Sequence, residues 1–216
     1  MFLSSAESST IATRIADVEA STGVQVVVAV VGCAARYPEA RWKSFALGVS
    51  LSALIIGGLG IVRPEWSMAA SAFEGVIAVL AAGIANAFVA TYLHSYQRVF
   101  VRHNRAAAEV RQYAEGLFLA HELFATPART AVLIVVSRFE RVVVVHADRG
   151  FTDRIAVTEW EGVVAPMTVA LRSDELVDAV QAGLAALHSL LVRRGFDATG
   201  ARAGDLPDRP LEERGA

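Results

Sequence analysis

The sequence predicts an α/β protein that is interrupted by an inserted pair of membrane-spanning helices. Three short runs of mostly β-branched residues, Val24 to Val31, Thr130 to Ser137 and Arg141 to Ala147, have the composition of strands. Two longer apolar runs, Ser44 to Val62 and Phe73 to Tyr92, lie between the first strand and the second. We therefore expect one sheet domain, built from both halves of the chain, with a helical hairpin inserted after its first strand.

Each of the two apolar runs is long enough to cross a bilayer. A spanning helix needs about 20 mostly apolar residues, and neither 44–62 nor 75–92 contains a charged residue. The polar patch Arg63 to Ser67 separates the runs, which predicts a transmembrane hairpin in an integral membrane protein. Glu74 then lies at the outer interface, where a carboxylate avoids the cost of a charge at mid-bilayer. A proton-relay role for Glu74 is the alternative.

The first half of the domain begins with a capped helix. Ser4 and Glu7 have the spacing of a capping box, in which each side chain satisfies a free amide at a helix start. Gly23 is placed to end this helix in a left-handed turn. The run from Val24 to Val31 then predicts an internal strand that is buried on both faces.

The second half predicts a helix, two strands and two further helices. An amphipathic helix over about 104–124 has His121 on its apolar face, where we expect a neutral core histidine. The short link 138–140 makes the next two strands an antiparallel hairpin. Thr158 and Glu161 suggest a capping box for a helix bent at Pro166.

The last predicted helix precedes a polar tail. Ser173 is the expected cap, and the apolar face consists of Leu176, Val180, Leu184, Leu187 and Leu191. From about Phe196 the chain has few apolar residues, which predicts disorder. The expected organisation is a first domain part over 1–36, a hairpin over 40–98, a second domain part over 104–195 and a disordered tail over 196–216.

Charge distribution predicts the orientation in the membrane. Basic residues precede the first span and follow the second, whereas the loop between them offers only Arg63, offset by Glu65; the flanking residues are Arg36, Arg41, Lys43, Arg98, Arg102 and Arg105. The positive-inside rule then predicts a two-span protein of the cell inner membrane with both termini in the cytoplasm. A net charge of −2 with no basic stripe argues against nucleic acid as a partner.

Small residues recur along both apolar runs. Ala78, Ala82, Asn86 and Ala90 form one row, and Gly48, Ser52 and Gly60 form another. Small residues let helix backbones approach closely in lipid. We interpret these rows as packing within the hairpin. The alternative is self-association or binding to another membrane protein.

Several segments resemble the TPM domain family. These are 18–28 (VEASTGVQVVV), 130–137 (TAVLIVVS) and 140–151 (ERVVVVHADRGF), followed by Trp160 and a helix containing Val163 and Val164. Members with a membrane hairpin inserted after the first strand are the nearest match. The resemblance implies a small mixed sheet sandwiched by helices, and a role in the maintenance of membrane proteins. It also implies an acid phosphatase activity with a divalent cation near Asp148 and Asp153.

The carboxylates after the third strand have two interpretations. Asp148 and Asp153 could bind a hard cation such as Ca²⁺ through oxygen ligands, although Ca²⁺ takes six to eight of them. We favour solvated loop charges that Arg149 and Arg154 neutralise. The sequence contains no Gly-x-Ser-x-Gly elbow, phosphate-binding glycine loop or His-Glu-x-x-His motif, and we interpret the lone Cys33 as structural.

These patterns favour a non-enzymatic, membrane-tethered domain that needs no cofactor and binds partners at the inner membrane face. The alternative function is a weak phosphatase that depends on a divalent cation. A third hypothesis is a subunit of a larger transport assembly, since two helices cannot enclose a transport pathway by themselves.

Overall fold

The structure, a computed structural model, describes residues 2–62, 69–126, 128–198 and 209–215. The predicted loop Arg63 to Ser67, Pro127 and most of the predicted tail lie outside these ranges. The chain forms two compact units, one from residues 1–35 and 104–216 and the other from 36–103. The helices are α1 (Ser5–Thr22), α2 (Pro38–Val62), α3 (Ala69–Tyr92), α4 (His94–Val99), α5 (His103–Ala120), α6 (Val157–Arg172) and α7 (Leu176–Arg193). The strands are β1 (Gln25–Cys33), β2 (Ala131–Ser137), β3 (Val142–Ala147) and β4 (Leu211–Gly215).

The first unit contains a mixed four-stranded sheet with the order β3-β2-β1-β4. β1 is parallel to β2, with Val26 opposite Val132 and Val31 opposite Ser137. β2 and β3 form the predicted antiparallel hairpin. The α/β class and the pairing of strands from the two sides of the insertion are therefore confirmed.

Helices α1, α6 and α7 cover one face of this sheet. Alternate residues of β1 and β2 point into this core, as expected for strands with a period of two; they are Val26, Val28, Val30, Val132, Ile134 and Val136. The helices contribute fully buried side chains, among them Ile11, Ile15, Met167, Leu184 and Leu187. Every residue of the predicted apolar face of α7 is buried.

Helix α5 covers the opposite face. The Phe118 ring packs on His146 of β3 with 4.7 Å between ring centroids, and the Tyr113 hydroxyl donates a hydrogen bond to Glu213 of β4. His146 lies opposite Leu133, whose side chain belongs to the other set of alternating positions. The sheet is therefore held between two helical layers.

The start and end of α1 are as predicted. The Ser4 N–H donates to the Glu7 carboxylate over 2.7 Å, and the Glu7 N–H donates to the Ser4 hydroxyl over 3.3 Å. Gly23 adopts a left-handed conformation with φ of 68° and its N–H donates to Glu19 O.

Three predicted helix boundaries are wrong. Helix α5 ends at Ala120 rather than near Phe124, because the chain turns at Glu122, whose φ is +50°. His121 consequently lies beyond the helix and is exposed, so the prediction of a core histidine is also wrong. A helix that ends in a left-handed conformation usually has Gly at that position. Here the residue is Glu122, so no glycine indicated the end of the helix.

The caps of the last two helices also differ from the prediction. Thr158 lies inside α6, which begins two residues earlier because the Glu159 carboxylate accepts the N–H of Ala156. Ser173 ends α6 instead of starting α7, and the reversal passes through Asp174 with φ of +64°.

The prediction of a disordered tail over 196–216 is wrong for the residues that the structure describes there at both ends. Phe196 is buried against Phe151, with 5.2 Å between ring centroids. Leu211–Gly215 forms β4, parallel to β1, with Leu211 opposite Ala29. A five-residue polar strand has no periodic signal of its own, and pairing with the exposed edge of β1 creates it.

The second unit is a hairpin of α2 and α3. The two helices are antiparallel: Ser44 contacts Asn86, Val49 contacts Gly83, and Ile56 lies near Gly75. A Cβ added at Gly48 would lie 2.8 Å from Asn86 Cβ, so the close approach depends on glycine. Three helices, Pro38–Val62, Phe73–Tyr92 and Leu176–Arg193, are long and apolar enough to cross a membrane.

We expect deletion of residues 209–216 to expose the edge of β1 from Ala29 to Cys33. Hydrogen exchange of the full-length chain and of the deletion in detergent micelles would measure this, with faster exchange in β1 but unchanged exchange in β3. Equal protection of β1 with and without β4 would contradict the pairing.

Tyr113→Phe, which keeps the strand and removes one hydrogen bond to a carboxylate, should cost about 1 kcal/mol of unfolding free energy.

Candidate functional site

Asp148 is buried at the end of β3, where it caps a short 3-10 turn, Arg149–Phe151. Its residue exposure is 5%. The carboxylate accepts the backbone N–H of Arg149 over 2.7 Å. Arg129 approaches both carboxylate oxygens, with Nη2 3.0 Å from Oδ1 and Nε 2.9 Å from Oδ2. Only the Nη2 contact is a hydrogen bond: Oδ2 is buried and accepts none among the described residues, so its charge is compensated by the ion pair with the guanidinium.

Asp153, the second predicted ligand, is exposed beyond the 3-10 turn. The predicted neutralising role of Arg154 is not what the structure shows: Arg154 donates to the carbonyls of Arg194 and Gly195, and its guanidinium lies 3.6 Å from the centroid of the Phe196 ring. Within the described ranges, no group of three or more His, Cys, Asp or Glu side chains is placed to hold a metal ion.

The loop after β3 packs closely on the loop before β2. The N–H of Gly150 donates to Arg129 O over 2.9 Å, and a Cβ at Gly150 would lie 2.5 Å from that oxygen. Phe151 follows into the core, where its ring meets Trp160 edge-on. The Asp-Arg-Gly-Phe run therefore has a structural explanation: it fixes the two loops and anchors α6 to the sheet.

A second polar cluster lies at the carboxyl ends of β1 and β2, and the sequence reasoning missed it. The Glu140 carboxylate accepts the N–H of Ala34 over 3.0 Å and the hydroxyl of Ser137. The Cys33 thiol lies 3.5 Å from the same carboxylate and 3.0 Å from Ala35 O, to which it donates. The only local indication of this cluster in the sequence is the Ser-x-x-Glu spacing of Ser137 and Glu140 across the β-hairpin.

Burial and the neighbouring Glu140 carboxylate raise the pKa of Cys33 to about 12. The thiol is therefore protonated near neutral pH, whereas a nucleophilic cysteine needs a lowered pKa. The interpretation of Cys33 as structural fits this environment.

The surface of the hairpin is the most distinctive chemical feature of the described residues. Large apolar side chains on both helices are exposed, among them Leu47, Leu51, Leu54, Ile55, Leu59, Val76, Ile77, Leu80, Ile84 and Phe88. Polar groups instead bond inside the hairpin. The Ser44 hydroxyl donates to Asn86 O, the Asn86 amide donates to Ser44 O, and the Tyr96 hydroxyl donates to Asn86 Oδ1.

The small-residue rows are used only in part within the hairpin. Gly48 and Asn86 lie at the contact between α2 and α3, and Ala90 is fully buried. Among the residues that the structure describes, none lies within 4 Å of a Cβ added at Gly60, and the Ser52 hydroxyl donates to Gly48 O of its own helix.

Comparisons with known proteins identify the fold and no family. No protein-family model matches the chain, and no curated protein sequence matches it. The chain is similar to the NMR structure of the BA42 protein from the psychrophilic bacterium Bizionia argentinensis, with a TM-score of 0.59 and 13% sequence identity over 98% of this chain and 96% of that one. At this identity the similarity extends to the fold alone.

We expect the Cys33 thiol to react slowly with iodoacetamide. At pH 8.5 the raised pKa leaves so little thiolate that alkylation should be on the order of a thousandfold slower than for a free thiol. The rate should rise as the pH approaches the raised pKa. Because Cys33 is the only cysteine, mass spectrometry of the intact chain gives the rate directly.

Glu140→Gln removes a negative charge beside the thiol, so it should lower the pKa and speed alkylation. Ser137→Ala is the matched control, since it removes a hydrogen bond to Glu140 without changing charge. Alkylation of the native chain at the rate of a free thiol would refute the environment described for Cys33.

Proposed function

We propose that this chain is an integral protein of a bacterial inner membrane, and that α2 and α3 cross the bilayer as a hairpin with both termini in the cytoplasm. The α/β unit then acts as a non-enzymatic accessory domain that binds partners in the maintenance of membrane proteins. The apolar surface of the hairpin carries the membrane part of this proposal. The resemblance to the TPM family motivates the role.

Physical dimensions support the membrane part. From Ser44 to Val62 the helix rises about 28 Å at 1.5 Å per residue, close to the roughly 30 Å of bilayer hydrocarbon. Soluble proteins rarely expose contiguous apolar patches larger than a few hundred Å², whereas both hairpin helices expose apolar side chains along most of their length. Polar side chains that bond inside the hairpin avoid the cost of unpaired groups in lipid.

Helix α7 is a weaker candidate for a span although its composition also qualifies. Its apolar side chains are already used in the core of the α/β unit, where Leu184, Leu187 and Leu191 have no exposed surface. Moving α7 into lipid would remove one side of that core, so we propose two spans rather than three.

The polar clusters of the α/β unit support a non-enzymatic role. The Asp148 carboxylate is paired with Arg129, and the Cys33 thiol is protonated because its pKa is raised. Neither group has the accessible, activated form that a nucleophile or a metal ligand requires.

Reporter fusions test the membrane arrangement. We expect a fluorescent protein fused after Ala216 to fluoresce and alkaline phosphatase fused there to be inactive, because both report a cytoplasmic C-terminus. The matched control is a fusion after residue 67, which follows only one span and should give the reverse pattern. Release of the full chain from membranes by alkaline carbonate, or an active phosphatase fused at the C-terminus, would overturn the proposal.

A hydrolysis assay tests the non-enzymatic role. We expect purified protein to hydrolyse p-nitrophenyl phosphate no faster with added Mg²⁺, Mn²⁺ or Ca²⁺ than with EDTA. Asp153→Asn changes an exposed carboxylate and should leave both the fold and this background unchanged. Cation-dependent hydrolysis that Asp153→Asn or Asp148→Asn abolishes, with the circular dichroism of the variants retained, would establish the phosphatase alternative instead.

A further inference from the structure

We propose that one end of the hairpin binds the headgroups of anionic phospholipids through a basic collar, defined as Arg36, Arg41, Lys43, Arg98 and Arg102. This inference rests on the proposed membrane insertion and adds to it a lipid class and the residues that select it. The observations behind it are the packing of the hairpin end, its charge and its exposed aromatic side chains.

The packing brings the two arms of the collar together. The start of α2 and the end of α3 are adjacent, because Ser44 and Asn86 exchange two hydrogen bonds. Beyond α3 the chain continues into α4, and Lys43 Nζ donates to the carbonyl of Phe100 over 2.9 Å. Residues 36–43 and 94–102 therefore surround one end of the hairpin.

This end of the hairpin carries a large excess of positive charge. Residues 36–43 and 93–103 contain the five basic residues of the collar against a single acidic residue, Glu39. Arg36, Arg41, Lys43 and Arg102 are exposed. Phosphate-bearing lipids with a net negative charge complement such a surface, and each basic residue near the membrane increases association about fivefold.

Aromatic and apolar side chains lie among these charges. Trp42 is 72% exposed and Tyr92 is 75% exposed, and Val99 is also exposed. α3 ends at Tyr92, and Leu93 has φ of −98° and ψ of 90°, so α4 does not continue the helix. Trp and Tyr prefer the level of the headgroups, where a basic side chain can reach a lipid phosphate. This combination favours a lipid headgroup over a soluble acidic peptide.

The test uses the full chain reconstituted in phosphatidylcholine vesicles that contain trace spin-labelled lipid. Electron paramagnetic resonance resolves lipid that is immobilised at a spanning protein surface. We expect spin-labelled phosphatidylglycerol to associate at least fivefold more strongly than spin-labelled phosphatidylcholine at low ionic strength. High salt should reduce this preference, since exposed charges are screened.

The variant Arg41→Gln/Arg102→Gln removes two of the five basic residues and should lower the ratio to a fifth of its native value or less. The matched control Arg14→Gln/Arg172→Gln loses the same charge from the α/β unit and should keep the native ratio. An immobilised component that is equal for the two lipids in the native chain would refute the collar while leaving the spanning hairpin intact. The absence of any immobilised component would refute the hairpin itself, and the collar with it.

Discussion

The structure depends on the need of β1 for a neighbour along both edges. Between Val26 and Val31 this strand carries only apolar side chains, and its backbone groups are buried with them, so each N–H and C=O must find a partner. β2 supplies one edge from Gln25 to Val31, and β4 supplies part of the other. Where β4 does not reach, the Glu19 carboxylate accepts the N–H of Val26 over 2.7 Å.

That requirement also governs the insertion. β1 and β2 lie on opposite sides of the hairpin in the sequence, yet they pair in register along seven residues. The chain must therefore leave the sheet and return to it, and two antiparallel helices of similar length do this. Gly48 and Gly83 let those helices approach closely, and the bonds between Ser44 and Asn86 fix their ends. The proposed membrane anchor thus leaves the sheet complete.

The polar clusters of the α/β unit serve its architecture. Arg129 and Asp148 join the loop before β2 to the loop after β3, and Glu140 joins the hairpin turn to the end of β1. Asp148 is buried and Glu140 is half-buried, and such charges are costly to leave unpaired, so each cluster limits how the strands can end. The chemistry that remains available to partners lies instead on the hairpin and on the basic collar at its end.

The sequence alone determined the local elements and the apolar insertion. The capping box of α1, the three β-branched strands and the two uncharged runs are all readable from neighbouring residues, because their causes are local propensity and periodicity. Tertiary structure decided the rest. β4 exists because β1 offers an edge to it, and the pairing of Asp148 with Arg129 joins residues from separate loops. His121 is exposed because the chain turns at Glu122 in a left-handed conformation, and no glycine at that position predicts the turn. The strand pairing of β4 and the ion pair of Asp148 arise from contacts between distant segments, and such contacts leave no pattern in the local sequence.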